Sequence, residues 1–184
     1  SSAASDVYKR QEVDRIDYSN DTATAAAKGP LTGVIMDTGA VSSRENGLTP
    51  YSLTISTPFA FGENYTSHPY GYWGGGYYPG APNGCTSQID RVDYSNDTAA
   101  ASTKGNLSFD RWNIGAIGNV SHGYFASART GLVNGFSTVE RLDYSNDAIL
   151  TSIRGPLNNS IQYSAAVGNQ YFGYVMGGWS PSNK

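Results

Sequence analysis

Apolar and polar residues alternate along this chain in short runs. In Val139-Glu140-Arg141-Leu142-Asp143-Tyr144, Leu142 and Tyr144 share one face, while Val139, Arg141 and Asp143 share the other. That two-residue period is the signature of a strand. Three residues of turn chemistry follow, Ser145-Asn146-Asp147. Asn and Asp tolerate left-handed backbone and bond their own main chain. A second run, Ala148 to Ile153, is small and β-branched and ends in Arg154-Gly155. A third spans Tyr163 to Val167, closed by Gly168-Asn169, and a fourth Tyr171 to Met176, closed by Gly177-Gly178.

The same four runs recur. Asp-Tyr-Ser-Asn-Asp stands at 17–21, 93–97 and 143–147, preceded by Val-Asp-Arg-Ile, Ile-Asp-Arg-Val and Val-Glu-Arg-Leu. Lys28-Gly29, Lys104-Gly105 and Arg154-Gly155 close the second run each time. The second and third units align without a gap over a period of 50 residues, and the first pentapeptide lies 76 residues before the second. The excess reads as an insertion at 33–57, which holds the alternating run 52–56 and would either add a hairpin at one rim or be a tolerated surface excursion. Four short strands per unit of about 50 residues predict one β-propeller blade per unit. The expected division is 12–87 for a first blade repeat with its insertion, 88–137 for a second and 138–184 for a third, truncated one. About three four-stranded antiparallel blades make an incomplete propeller. Open blade edges make self-association, or aggregation, an expectation.

Composition adds exclusions. Charged residues are 15% of 184 and the net charge is -3, without the basic face of a nucleic-acid binder. No apolar run approaches the roughly 18 residues of a membrane span. Gly (22) and Tyr (14) are abundant, which suits strands and tight turns. The single cysteine, Cys85, leaves no internal disulfide framework. Residues 1–11 match nothing in the repeats and resemble translated sequencing-adapter read-through; the other reading is a polar tail. The chain reads as cut at both ends.

The third unit resembles kelch repeats. Thr138-Val139-Glu140-Arg141-Leu142-Asp143 is similar to the kelch strand after the double glycine, and Tyr171 to Gly178 to the strand that ends in it. Tyr72-Trp73-Gly74-Gly75-Gly76 is the first unit's version. The second departs, with Ala126-Ser127 after Tyr124-Phe125, and the tryptophan expected after the Asn/Asp turn is absent throughout. The wording Asp-Tyr-Ser-Asn-Asp-Thr-Ala with Lys-Gly-Pro-Leu also resembles repeat proteins of marine phages, which implies a virion-surface or adhesion role.

Candidate chemistry is sparse. The pairs Arg15/Asp17, Arg91/Asp93 and Arg141/Asp143 could form a ligand-facing charged ring or an ion pair between blades. Their recurrence favours the structural use. The acidic turns could offer oxygens to calcium, but they lack the alternating acids and terminal Glu of a calcium loop. His68, His122 and Cys85, with the tyrosines, resemble in kind the copper ligands of galactose oxidase, a kelch-propeller enzyme. Nothing in the spacing fixes that geometry. No hydrolase elbow, phosphate loop or paired-His zinc motif is present. Of six glycosylation sequons two lie in the repeated turn, so they imply nothing beyond composition. No catalytic residue, metal or cofactor is assigned.

The remaining candidate is Tyr70-Gly71-Tyr72-Trp73-Gly74-Gly75-Gly76-Tyr77-Tyr78, where the first unit departs from the others. Aromatic rings beside flexible glycine suit stacking on a sugar or anchoring a protein. Tyr70, Trp73, Tyr77 and Tyr78 are therefore the candidate ligand-binding residues, with packing between blades the alternative for Tyr72 and Trp73. The expected function is a non-enzymatic interaction module for a protein or a surface glycan, extracellular or on a virion. A carbohydrate-active enzyme or a purely structural virion component are the alternatives.

Overall fold

A computed structural model describes residues 13–15, 20, 22–24, 26–33, 39–42, 70–169 and 171–180. Residues 1–11, His68 and most of 33–57, including the run 52–56, lie outside the described residues. Within them the chain is all-β, with twelve strands and two single-turn 3-10 segments. The strands are β1 (Asp14–Arg15), β2 (Ala26–Ala27), β3 (Gly39–Ser42), β4 (Tyr70–Tyr77), β5 (Cys85–Asp93) and β6 (Ser102–Asn106). They continue as β7 (Gly115–Gly118), β8 (His122–Ala126), β9 (Val139–Asp143), β10 (Ser152–Ile153), β11 (Ala165–Gly168) and β12 (Gly173–Met176). Two four-stranded antiparallel sheets form, in the orders β3-β4-β5-β6 and β7-β8-β9-β10. They are flanked by the pairs β1-β2 and β11-β12. This is a row of open β-propeller blades, and twelve strands amount to three blades' worth.

The sheets are out of phase with the repeats. Each takes the last two strands of one repeat and the first two of the next. The reason lies in the connections. The segment that ends β4 or follows β8 leads back antiparallel into the following Asp-Arg or Glu-Arg strand, so those two strands pair across the repeat boundary. Tyr72 faces Arg91, and Tyr124 faces Arg141 in the same register.

Strand β3 belongs to the regular pattern. Gly39 faces Gly74 as Gly115 faces Ala126, each eight residues after the leucine Leu31 or Leu107. The extra residues of the first repeat therefore fall between Ser42 and Tyr70, later than the expected 33–57. Sequence spacing alone could not separate a short strand from the insertion behind it. The second strand is also shorter than the run 148–153 suggests. Only Ser152–Ile153 pair, because residues 148–151 are used in turning the chain.

Two apolar clusters hold the sheets together. Tyr72, Ile89, Leu107, Ile114, Phe125, Leu142 and Tyr144 fill the space between the two full sheets. The Tyr72 and Tyr144 rings stack with centroids 5.0 Å apart. Leu31, Val92 and Ala101, with Val13 and Trp73, form the cluster between the first pair and the first full sheet. Each large side chain fully buried there contributes about 1.5–3 kcal/mol. Neither cluster includes a residue of β11-β12. Tyr174, the counterpart of Tyr72, is 57% exposed where Tyr72 is fully covered.

The double-glycine position explains the second repeat's departure. Gly75 (φ 63°) and Gly177 (φ 67°) take left-handed backbone, and at the same place Ser127 has φ 54°. Ser127 keeps a conformation that costs a non-glycine residue about 1–2 kcal/mol. Its hydroxyl meets the Ser164 hydroxyl at 2.6 Å and accepts from the Gly115 N–H at 3.3 Å, which offsets part of that cost.

Candidate functional site

The recurring residues build the seam between repeats. Asp93 and Asp143 start the 3-10 turns, and their carboxylates accept the Ser95 and Ser145 N–H at 2.8 and 2.9 Å. Hydrogen bonds from those serines, hydroxyl and amide, hold both carboxyls below the ordinary Asp value. The final aspartate reaches backward instead. Arg15 pairs with Asp97 at 2.7 Å, and Arg91 with Asp147 at 2.8 Å. Asp147 also accepts the buried Tyr72 hydroxyl at 3.0 Å. Burial first, then the Asp147 charge, raises the Tyr72 phenol well above its usual value.

The arginine's partner is thus not the aspartate two residues along its own strand. It is the last residue of the next repeat's pentapeptide. This is the ion pair between blades, and it leaves these acids little to offer a cation. Among the described residues no group of three His, Cys, Asp or Glu could hold a metal ion.

The residue before each arginine carries a second connection that the sequence reading missed. Asp90 accepts the Thr32 N–H and hydroxyl, at 3.1 and 2.6 Å. Glu140 accepts the Ser108 N–H and hydroxyl, at 2.8 and 2.6 Å. Glu140 and its partner Arg111 are both fully buried. Glu140 also accepts from Thr151. The acid was legible, since it lies on the Leu142 face by strand period, but its partners Ser108 and Arg111, 32 and 29 residues away, were not.

The four candidate aromatics do not converge. Tyr70 opens β4 and Tyr77 closes it, about 23 Å away at the usual rise per strand residue. Tyr70 lies under the Arg91 guanidinium, 4.1 Å from the ring centre. Trp73 is half-buried against the Leu31 cluster, a packing role. Tyr77 and Tyr78 remain together at the far end, with Tyr78 41% exposed.

That end is where loops of adjacent sheets meet. The β4-β5 connection is a tight turn in which the Tyr78 N–H donates to the Gly84 carbonyl at 3.0 Å. In the next sheet, Thr130 N–H donates to the Val133 carbonyl, and the Thr130 hydroxyl accepts the Leu132 and Val133 amides. The two loops touch, since a Cβ on Gly131 would lie 2.9 Å from the Asn83 carbonyl oxygen. Between them opens a cleft of about 390 Å³, lined by Asn83, Ser87, Phe109, Asp110, Thr130 and Leu132 among others.

A tilted aromatic pair stands beside the cleft. The Tyr77 and Trp112 ring centres are 5.2 Å apart, and the Arg129 guanidinium lies 4.8 Å over Trp112. A backbone bridge fixes this arrangement, with Trp112 and Arg129 exchanging N–H···O bonds of 2.9 Å. Trp112 has Gln162 at its place in the third repeat, so a break in the repeat was the available signal for it.

Cys85 sits at the Tyr77 end of its sheet, buried, with its thiol raised above the ordinary value by burial. His122 faces Asp143 at the opposite strand end, as Tyr70 faces Asp93. The structure does not bring these two together. A second cleft, about 280 Å³ and mainly apolar, separates the second sheet from β11-β12 and is lined by Ile117, Tyr124, Leu157, Phe172 and Val175 among others.

No protein-family model matches the chain, and no curated protein does. Solved structures do resemble it. The structure of YjhT superposes with a TM-score of 0.62 at 11% identity, over 95% of this chain and 47% of that one. A fungal alcohol oxidase of the AA5 family, in complex with copper, gives 0.53 at 12% identity, over 86% of this chain and 30% of that one. The chain spans about half the length of the first and under a third of the second. At these identities the likeness concerns the fold alone.

Proposed function

We propose that the chain is a non-catalytic binding module of kelch-like blades that takes a glycan in the cleft between the Tyr78–Gly84 turn and the Thr130–Val133 loop. The observation that carries this reading is the pairing of flat rings with short polar groups at one rim. Tyr77 and Trp112 pack there with their rings tilted by 48°, Tyr78 is exposed, and Asn83, Ser87, Asp110 and Thr130 line the adjoining cleft. A sugar ring offers an apolar face to the first set and hydroxyls to the second. Asp110 is the one carboxylate among the residues lining the cleft, whereas the usual glycoside hydrolysis needs two. This reading needs no cofactor. The resemblance to phage repeat proteins supports a virion or other extracellular surface as the setting.

A glycan array probed with the protein tests this. Binding should appear, and Tyr78→Ala and Trp112→Ala should each weaken it about tenfold, the loss of a stacked ring. Turnover of a bound sugar, or binding untouched by either substitution, would overturn the reading. The exposed tip Leu132 (89%) and Val133 (47%) favours a second reading, a protein partner. A partner captured by the native chain and lost on Leu132→Asp would be its mark.

A further inference from the structure

One wall of the cleft breaks the repeat. At 109–112 the second repeat reads Phe-Asp-Arg-Trp, where the first has Gly33-Val34-Ile35-Met36 and the third Asn159-Ser160-Ile161-Gln162. The acid before the repeated arginine departs as well. It is Asp14 and Asp90 in the first two repeats and Glu140 in the third. By repeat position, Ile35 with Asp90 corresponds to Arg111 with Glu140.

The two departures make a single contact. Glu140, one methylene longer than an aspartate, accepts from Arg111 Nη2, and both side chains are fully buried. Desolvation offsets most of the attraction in such a pair, so it adds little to stability. Here the cost is higher, since Arg111 Nε and Nη1 are buried with no hydrogen-bond partner among the described residues. The first full sheet does without the pair. Asp90 is as deeply buried, at 1% exposed, and its carboxylate accepts from Thr32, Gln88 and Thr103. It enters no ion pair among the described residues.

What Arg111 and Glu140 touch is the cleft wall. Glu140 holds Ser108 by its amide and its hydroxyl, at 2.8 and 2.6 Å. The Arg111 guanidinium lies 4.6 Å over the Phe109 ring, and Phe109 packs against Phe136 with ring centres 4.9 Å apart. Ser108, Phe109 and Asp110 line the cleft. Trp112, next along the chain, forms the tilted pair with Tyr77 beside it. We infer that Arg111 and Glu140 are positioning residues for the cleft, an inference that rests on the cleft being the binding site. They fix the wall 108–110 from behind, before a ligand arrives, and so remove the ordering cost from binding. The fold itself does not require them.

Giving this sheet the residues of the first one tests the point. Arg111→Ile with Glu140→Asp removes the ion pair and leaves a carboxylate of the Asp90 kind. The urea midpoint should hold, while glycan binding falls about tenfold through loss of the preformed wall. Cys85, the sole cysteine, is buried and lines the same cleft, so its alkylation rate reports on the wall without any ligand. That rate should rise several-fold in the variant, by local opening. Arg111→Met with Glu140→Asp fills more of the arginine's volume and replaces the first variant if that one folds poorly. Loss of the urea midpoint in both would show that the ion pair serves the fold, and would overturn the positioning role. Unchanged binding with unchanged alkylation would overturn it too. If the native chain binds no glycan, the proposed function fails and the alkylation rate alone decides. A faster rate then supports a positioned wall, and an unchanged rate overturns it.

Discussion

At the scale of residues, the pentapeptide divides its labour. Its first aspartate caps a turn and its last one bonds to the previous repeat. The capping aspartates give the fold an acid limit. Asp93 and Asp143 are held below their ordinary value by the serine hydrogen bonds, whereas in the unfolded chain they titrate near pH 4. The folded chain thus binds fewer protons, so their contribution is complete above about pH 4 and is lost as the pH falls through the depressed folded values. Melting temperatures recorded down an acid series should show that decline. Ser95→Ala with Ser145→Ala should flatten it; an unchanged acid limb would mean that other carboxyls set it. The roles of these aspartates were only partly legible. A turn is written in Asp-Tyr-Ser-Asn-Asp, but which arginine the last aspartate meets depends on a contact 56 or 82 residues away.

At the scale of elements, the alternating runs located strands and the repeats located turns. The partner of each strand was less legible, because period-two alternation gives a face and not a neighbour. The repeated glycine is the element-level clue that sequence could flag without explaining. Gly105→Ala should cost about 1–3 kcal/mol, since the new methyl meets backbone that cannot move aside. Gly155→Ala, the same change at the same place in the third repeat, should shift stability by no more than about 0.5 kcal/mol. Urea unfolding compares them. Equal losses would show that the glycine serves its own strand and not the neighbouring repeat. The left-handed positions also recur. Asn113 (φ 57°) and Tyr163 (φ 58°) occupy equivalent places, and asparagine is the better suited of the two.

At the scale of the whole molecule, polar links join the two full sheets, and the Asp147 carboxylate carries two of them. Asp147→Asn should destabilise the chain by about 1–3 kcal/mol, because Arg91 loses its counter-charge and the buried Tyr72 hydroxyl its strong acceptor. Hydrogen exchange should show the loss in both full sheets at once. Loss confined to the second sheet would show that the sheets unfold separately. The candidate cleft belongs to this scale too, for it is made where adjacent sheets meet. Tyr77 and Tyr78 were legible as a departure from repetition. Trp112 and Arg129 were not, since Trp112 lies 35 residues from Tyr77 and only the stacking of blades brings them together. Among the described residues no helix is long and apolar enough to cross a membrane, in keeping with the absence of an apolar run.

The offset between sheet and repeat has a consequence for how such a chain can grow. Each copied segment lends two strands to the sheet behind it and two to the sheet ahead. A duplication or loss of one whole segment would therefore leave every sheet between two segments with four strands, whichever segment was involved. The unit of heredity and the unit of folding are staggered like bricks in adjoining courses, and blade number can change without any strand being orphaned.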